Sequence, residues 1–426
     1  MTREINWLIY LTPVFLLTIK GYTNTTVALL AIVSIFILLA DQSNKLTLEN
    51  KKAASIISLV LAGQFLAVFF SNLVRWQWSL PEFDAPLRLL LAIPLLLAIS
   101  KTSLNYKLES VGTNLYITYM PMTLVATLVY CYFYPNAGWY AGRLSTYFVD
   151  PLYFSVICQV LAMICLANLL FSKNISLVIR LLYLILTAVG FYLAIKSQSR
   201  TGMLGVPLII LFFTYQSISH LFSKIKITIV LTIVLFCVVI FTSLEPTLHV
   251  RFLTAINDVS SYKWNALNEV DTSVGLRISF VRMAWFYFCL NPVGGWGDLG
   301  WMTEINRPEI SAFATEFARN FPKAGFHNEI LTNAVHFGLF GLISSICVFL
   351  VPFIFFYRYR NHANQSVKFL CIQGSSFVAM MFISSLSTEV LSLKFCASFY
   401  GFMIAVTVSS IIQLIQCEQA CQKERL

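Results

Sequence analysis

An all-α integral membrane protein of about 12 transmembrane helices is what this sequence predicts, and two observations predict it. The chain of 426 residues is 58% hydrophobic and only 11% charged, less than half of the roughly 25% charge of a typical globular chain. Its apolar residues also fall in long uninterrupted blocks. Ile227 to Ser243, for example, is relieved only by Thr228, Thr232 and Thr242 before its end. Uncharged blocks of this kind, about 18 or more residues long, read as membrane-spanning helices. A mean hydropathy of +0.76 agrees. Together these exclude disordered, secreted disulfide-rich and ordinary cytosolic classes.

Twelve apolar segments follow one another near 6–20, 24–40, 55–74, 87–100, 113–134, 152–171, 179–195, 203–219, 227–243, 328–356, 367–388 and 395–416. Arg3 and Glu4 precede the first block, and no small-residue cleavage site follows it, so it reads as an uncleaved helix. No internal repeat or Gly/Ser-rich linker divides the chain, which reads as one polytopic membrane domain over 1–426.

The excess of 29 Lys and Arg over 19 Asp and Glu, a net +10, does not point to nucleic acid, because the basic residues stand singly between apolar blocks. They orient the chain instead. One set of alternate loops carries fifteen Lys and Arg and the short loops of the other set carry seven. Since cytoplasmic loops are enriched in these residues, both termini are expected in the cytoplasm and the one long loop, 244–326, outside. The ten cysteines show no metal-ligand spacing, and most lie inside apolar blocks as small hydrophobes.

The long loop carries eight acidic and seven basic residues, and its length implies local structure rather than a tether. Asp271-Thr272-Ser273 can cap a helix from about Gly275 to Leu290, ended by Asn291-Pro292. Phe280, Ala284, Trp285 and Phe288 give that helix an apolar face, and a position on or near the membrane surface is expected. Gly294-Gly-Trp-Gly-Asp-Leu-Gly300 lacks the Lys-Ser/Thr of a phosphate loop and reads as a tight turn.

Topology sorts the five histidines. His220 and His362 fall in basic cytoplasmic loops, and His249 opens the long loop without a partner in reach. His336 lies nine residues beyond His327 on one expected helix, and at 100° per residue the two face opposite ways. His327 stands at the membrane boundary, where a substrate from water can meet one from lipid. Imidazole, with an ordinary pKa of about 6.5, suits proton abstraction near neutral pH; an interfacial histidine at a helix start is the plainer reading. Arg200, Arg277, Arg143 and Arg88 lie toward the same face. Guanidinium groups converging on a cavity suit a phosphate or pyrophosphate, although a single interfacial arginine also serves as a headgroup anchor. An ionisable group at membrane depth, as at Arg88, normally faces a cavity or a partner. Asp84 and Glu389 are carboxylates placed to pair with these arginines.

The ordered motifs resemble one family. Gly325-Phe-His327-Asn328, then nine residues, then Gly338-Leu-Phe-Gly341 is similar to the signature of bacterial O-antigen ligases, whose superfamily includes O-antigen polymerases and protein O-oligosaccharyltransferases. Asp84-Ala-Pro-Leu-Arg88-Leu-Leu, Gly142-Arg143 with Asp150-Pro151, Ser197-Gln-Ser-Arg200-Thr-Gly202, and Arg277 with Asn291-Pro-Val-Gly-Gly match other stretches of that family in the same order. The resemblance covers nearly the whole chain. It implies a GT-C-like, membrane-embedded, inverting and metal-independent glycosyltransferase of the inner membrane, without a nucleotide or other cofactor. Such an enzyme moves polysaccharide from undecaprenyl pyrophosphate to a sugar of the lipid A-core on the periplasmic face. By resemblance, His327 would be the general base and Arg200 and Arg277 would hold the pyrophosphate, with Arg88 and Arg143 as further candidates. Asn328 would orient His327 or cap its helix, and Gly338 and Gly341 would permit close helix packing rather than touch substrate. Two other readings stay open: a polymerase of the same superfamily, though polymerases tend to carry two sizeable periplasmic loops, and a lipid or polysaccharide transporter, which usually shows internal repeats.

Overall fold

The computed structural model describes residues 3–40, 46–101, 111–135, 142–172, 175–199, 201, 205–217, 246–264, 266–267 and 271–424. Among these, helices occur in the order α1 (Arg3–Leu11), α2 (Tyr22–Ala40), α3 (Leu48–Arg75), α4 (Asp84–Leu90), α5 (Ala92–Lys101), α6 (Val111–Asn114), α7 (Met120–Phe133), α8 (Pro151–Phe171), α9 (Leu177–Lys196) and α10 (Gly205–Ser217). They continue with α11 (Pro246–Ser261), α12 (Ser273–Leu290), α13 (Pro308–Ser311), α14 (Glu316–Asn320), α15 (Glu329–Tyr359), α16 (Gln365–Ser385) and α17 (Lys394–Glu424). No strand occurs among the described residues, and ten helical stretches are long and apolar enough to cross a membrane. The chain is a multi-pass, all-α membrane protein, as its composition predicts.

Three of the expected spans have a different outcome. The first is a nine-residue helix followed by turns up to Gly21, and the eighth is the shorter apolar helix α10. The ninth, 227–243, lies outside the described residues. Conversely α12, the long-loop helix, itself has the length and composition of a span.

α17 is the axis of the bundle. Its apolar stretch is 94% buried, against α5, α4, α16 and α2. Polar side chains cross between the packed helices where apolar contact alone gives no preference for one register. Tyr116 pairs with Thr407 at 3.0 Å, Gln373 donates to Asn168 Oδ1 at 2.7 Å, and Tyr400 donates to the Val348 carbonyl at 2.7 Å.

The long loop builds a second core. Phe280, Met283, Tyr287, Trp301, Ile310, Phe313 and Phe326 pack together and onto Val335 of α15. α12 starts as expected, with Thr272 accepting from Gly275 N at 3.1 Å. Its buried stripe is Phe280, Met283, Ala284 and Tyr287, whereas the anticipated Trp285 is 61% exposed. The strip is rotated because the aromatic partners Trp301 and Phe326 come from later in the chain, and these tertiary contacts are invisible to the periodicity of α12 alone.

α15 is bent at Gly338, whose φ of 61° and ψ of −146° only glycine adopts easily. The bend frees backbone groups that the turn after α12 takes up. Trp296 N donates to the Val335 carbonyl at 2.9 Å, Gly297 N to that of His336 at 2.8 Å, and Leu339 N to that of Pro292 at 2.7 Å. Gly338 therefore does not merely permit helix packing, as the sequence suggested; it docks a loop into an opened helix. The segment 294–300 is a turn, as expected.

A side chain at Gly338 would put its Cβ 2.6 Å from the Val293 carbonyl carbon. Gly338→Ala should therefore cost at least about 1–3 kcal/mol, seen as a fall of several degrees in the thermal unfolding of detergent-purified protein. An unchanged unfolding temperature would contradict this account of the bend.

Candidate functional site

One end of the bundle gathers the segments that the sequence placed on a common face. The end of α3, the starts of α4, α8, α15 and α17, and the ends of α9, α12 and α16 all meet there.

His327 sits on the approach to α15 rather than inside it. Its backbone is left-handed, at φ 52°, and Asn328 supplies the cap, its Oδ1 accepting from Leu331 N at 3.0 Å. Helical spacing from His336 therefore does not set its direction. Asn328 also donates through Nδ2 to the Leu386 carbonyl at 3.3 Å, which ties the start of α15 to the end of α16. The cap is worth about 1 kcal/mol and fixes where the preceding histidine emerges.

The imidazole lies beside Glu389, with Nδ1 3.9 Å from Oε2. That is ion-pair distance rather than a hydrogen bond. Glu389 is nearly buried, at 4% exposure, and its other oxygen is held from behind. Oε1 accepts from Asn328 N at 3.2 Å and from Thr332 Oγ1 at 3.0 Å. Thr332 in turn accepts from Phe326 N at 2.9 Å. Gly325 makes this approach possible: a Cβ there would fall 2.5 Å from Glu389 Oε1. The motif Gly325-Phe-His327-Asn328 is thus a seat for one carboxylate, and each of its backbone or side-chain features has a structural use.

Phe280 and Phe321 flank the ring of His327 at centroid distances of 5.7 and 5.8 Å. Burial holds the imidazole pKa below its usual 6.5. The Glu389 carboxylate opposes that shift, the Arg277 guanidinium reinforces it, and Asp150 adds a smaller upward push. Burial thus favours the neutral imidazole at His327. An adjacent carboxylate can stabilise its protonated form, and a cation lies in electrostatic reach.

The arginines have distinct positions. Arg277 is half-buried on the first turns of α12, and its charge is felt at His327. Arg143 donates through Nε to the Ser197 carbonyl at 3.0 Å, which joins the 142–150 loop, where Asp150 lies, to the end of α9. Gln198 donates to the Gly142 carbonyl at 3.2 Å and strengthens the same junction. Arg200 lies outside the described residues. Arg88 pairs with Asp84 at 3.0 Å, and Asp84 also meets Lys394. Asp84 thus pairs with an arginine as anticipated, whereas Glu389 turns to His327.

In the sequence Glu389 is only a possible arginine partner and Asp150 only part of a family-like motif, while Thr332 and Phe321 do not stand out. Their spacing along the chain carries no signal, because the site joins segments from several separate helices.

The family model described as O-antigen ligase matches residues 182–346, a stretch that includes Arg200, Arg277, His327 and the Gly338–Gly341 pair. The resemblance to the O-antigen ligase superfamily therefore holds. The chain is also 27% identical over 396 residues to an uncharacterized protein of Haemophilus influenzae, a match covering 88% of this chain and 90% of that protein.

The electrostatics of His327 can be read directly by NMR titration of histidine-labelled protein, with its signal identified by loss in His327→Gln. The account predicts a pKa below 6.5, a further fall in Glu389→Gln, and a rise in Arg277→Gln. A value at or above 6.5 that neither substitution moves would contradict it.

Proposed function

We propose that this chain, which carries the O-antigen ligase pattern over residues 182–346, is a ligase of the bacterial inner membrane. It transfers O-antigen polysaccharide from undecaprenyl pyrophosphate to a hydroxyl of the lipid A-core at the periplasmic face. The observation that carries the reading is the base-and-carboxylate pair of His327 and Glu389, with the Arg277 charge in reach.

The proposed reaction needs three things. The acceptor hydroxyl must lose its proton to His327 as its oxygen attacks the anomeric carbon from the side opposite the leaving group. The bond from that carbon to the pyrophosphate oxygen breaks, with inversion, and both bonding electrons leave on undecaprenyl pyrophosphate. The growing negative charge then needs cations, a role assigned to Arg277 and Arg200, with Arg143 and Arg88 as further candidates. Glu389 stabilises the imidazolium that forms and holds the ring in place. The pyrophosphate is already an activated leaving group, so no nucleotide has to be supplied on a face of the membrane that lacks ATP. Both termini would lie in the cytoplasm, following the distribution of Lys and Arg.

The test is lipopolysaccharide from a strain that lacks its own ligase and receives this chain. A restored ladder of capped lipid A-core is expected. His327→Ala should lower transfer by about 10²–10⁴-fold, as expected for loss of a general base, and Arg277→Ala should abolish the ladder, with both variants still present in the membrane. An undiminished ladder in His327→Ala would remove the proposed mechanism. Polymer that accumulates on the lipid carrier without a ladder would favour the polymerase reading.

A further inference from the structure

A second polar site lies on the other side of Thr332. Glu329, Thr332, Asn333 and His336 recur at helical spacing on one face of α15 and form a wall of a cavity of about 480 Å³. The start of α4 with Glu82 and Asp84, the turn at Asp298, and Ser392 and Lys394 at the start of α17 complete it. That volume falls within the roughly 300–1,000 Å³ of small-molecule pockets.

The lining is rich in acceptors. Four carboxylates face one amine, and three of them are held by neighbouring groups, some of which also line the cavity. Glu82 receives Arg75 and Asn72, each at 2.8 Å. Glu329 receives Leu391 N at 2.9 Å and Asn333 Nδ2 at 2.8 Å, and Asp84 receives Arg88 and Lys394. A carboxylate has about four lone-pair sites, so these groups keep acceptor capacity for a ligand. Asp298 is half-exposed and lies 3.5 Å from His336 Nδ1. His336, only 9% exposed, lines the cavity beside it. Phe337, Leu299 and Leu391 add an apolar surface.

We propose that this cavity binds a pyranose residue, with its hydroxyls donating to the lining carboxylates, Asp298 beside His336 among them. The proposal rests on the glycosyl-transfer reading above. Carboxylates repel a phosphate and attract hydroxyl donors, so the cavity divides the work with the arginine side: the anion sits by Arg277 and sugar hydroxyls sit behind α15. Thr332 links the two, because it lines the cavity and donates to the carboxylate beside His327. The acceptor core and the donor chain both supply such a sugar, and the two probes below distinguish them.

Full-length protein in detergent is tested by saturation-transfer NMR with two probes: core oligosaccharide freed of lipid A, and the soluble O-antigen repeat oligosaccharide. One probe binds, and its identity gives the source of the sugar. Binding weakens about tenfold or more in Asp298→Leu, as expected for loss of a hydrogen bond to a charged group, and persists in His327→Ala. The Asp298 backbone bonds to Glu82 and Trp301 do not involve its side chain, which favours a folded variant. Ser392→Trp, at an exposed rim position, is a second variant and blocks entry. Binding of neither probe, or equal binding in both variants and the parent, overturns the proposal. Transfer that is lost in His327→Ala but unchanged in Asp298→Leu and Ser392→Trp overturns the cavity alone. Cavity-dependent sugar binding in a chain that restores no ladder supports the cavity and removes the ligase reading.

Discussion

A single buried carboxylate organises this end of the molecule. Glu389 leaves the water that would solvate it and is compensated by one backbone N–H, one threonine hydroxyl and one imidazole. Burying a charge is expensive unless its partners are fixed, so the surroundings of Glu389 have to be rigid. Asn328 caps α15 and presents its own N–H, Thr332 sits one turn into the helix, and Gly325 keeps its side of the carboxylate clear. Removing any one partner leaves a buried charge short of compensation. The position and electrostatic state of His327 follow from this arrangement.

α15 then acts as a partition. Before its first turn stands His327, within electrostatic reach of Arg277 and flanked by Phe280 and Phe321. Along the following turns Glu329, Asn333 and His336 line a cavity rich in carboxylates. The bend at Gly338 matters to both sides. By pairing the opened helix with the turn after α12, it fastens the aromatic core of the long loop, and Phe280 with it, over the start of α15. Loop and bundle are thus joined by backbone hydrogen bonds two to three turns beyond His327.

Much of this was legible in the sequence, for identifiable reasons. Long apolar blocks foretell helices because a membrane interior leaves the backbone no other partner. Thr272 and Asn328 are recognisable as caps from residue type and position. His327 stands out because it lies at a span boundary and because Gly325-Phe-His327-Asn328 resembles the family signature. The partnership of Glu389 with His327 was not legible, since sixty-two residues separate them and only the packing of α16 against α15 closes the gap. The Gly338 bend was also hidden, because glycine serves equally in tight helix packing and in a left-handed kink. The exposed Trp285 has a similar origin: aromatic residues on two adjacent strips of α12 left the buried strip ambiguous until Trp301 and Phe326 were placed.

The central claim is that Glu389 acts through His327, and a double-mutant cycle on transfer rate tests it most directly. Rates are compared for the parent, His327→Ala, Glu389→Gln and the double variant, each checked for folding. If the carboxylate works by orienting and stabilising the imidazole, the double variant should be no slower than His327→Ala alone, because residues that act as a unit are not additive. Losses that multiply independently would contradict the account and give Glu389 a role of its own.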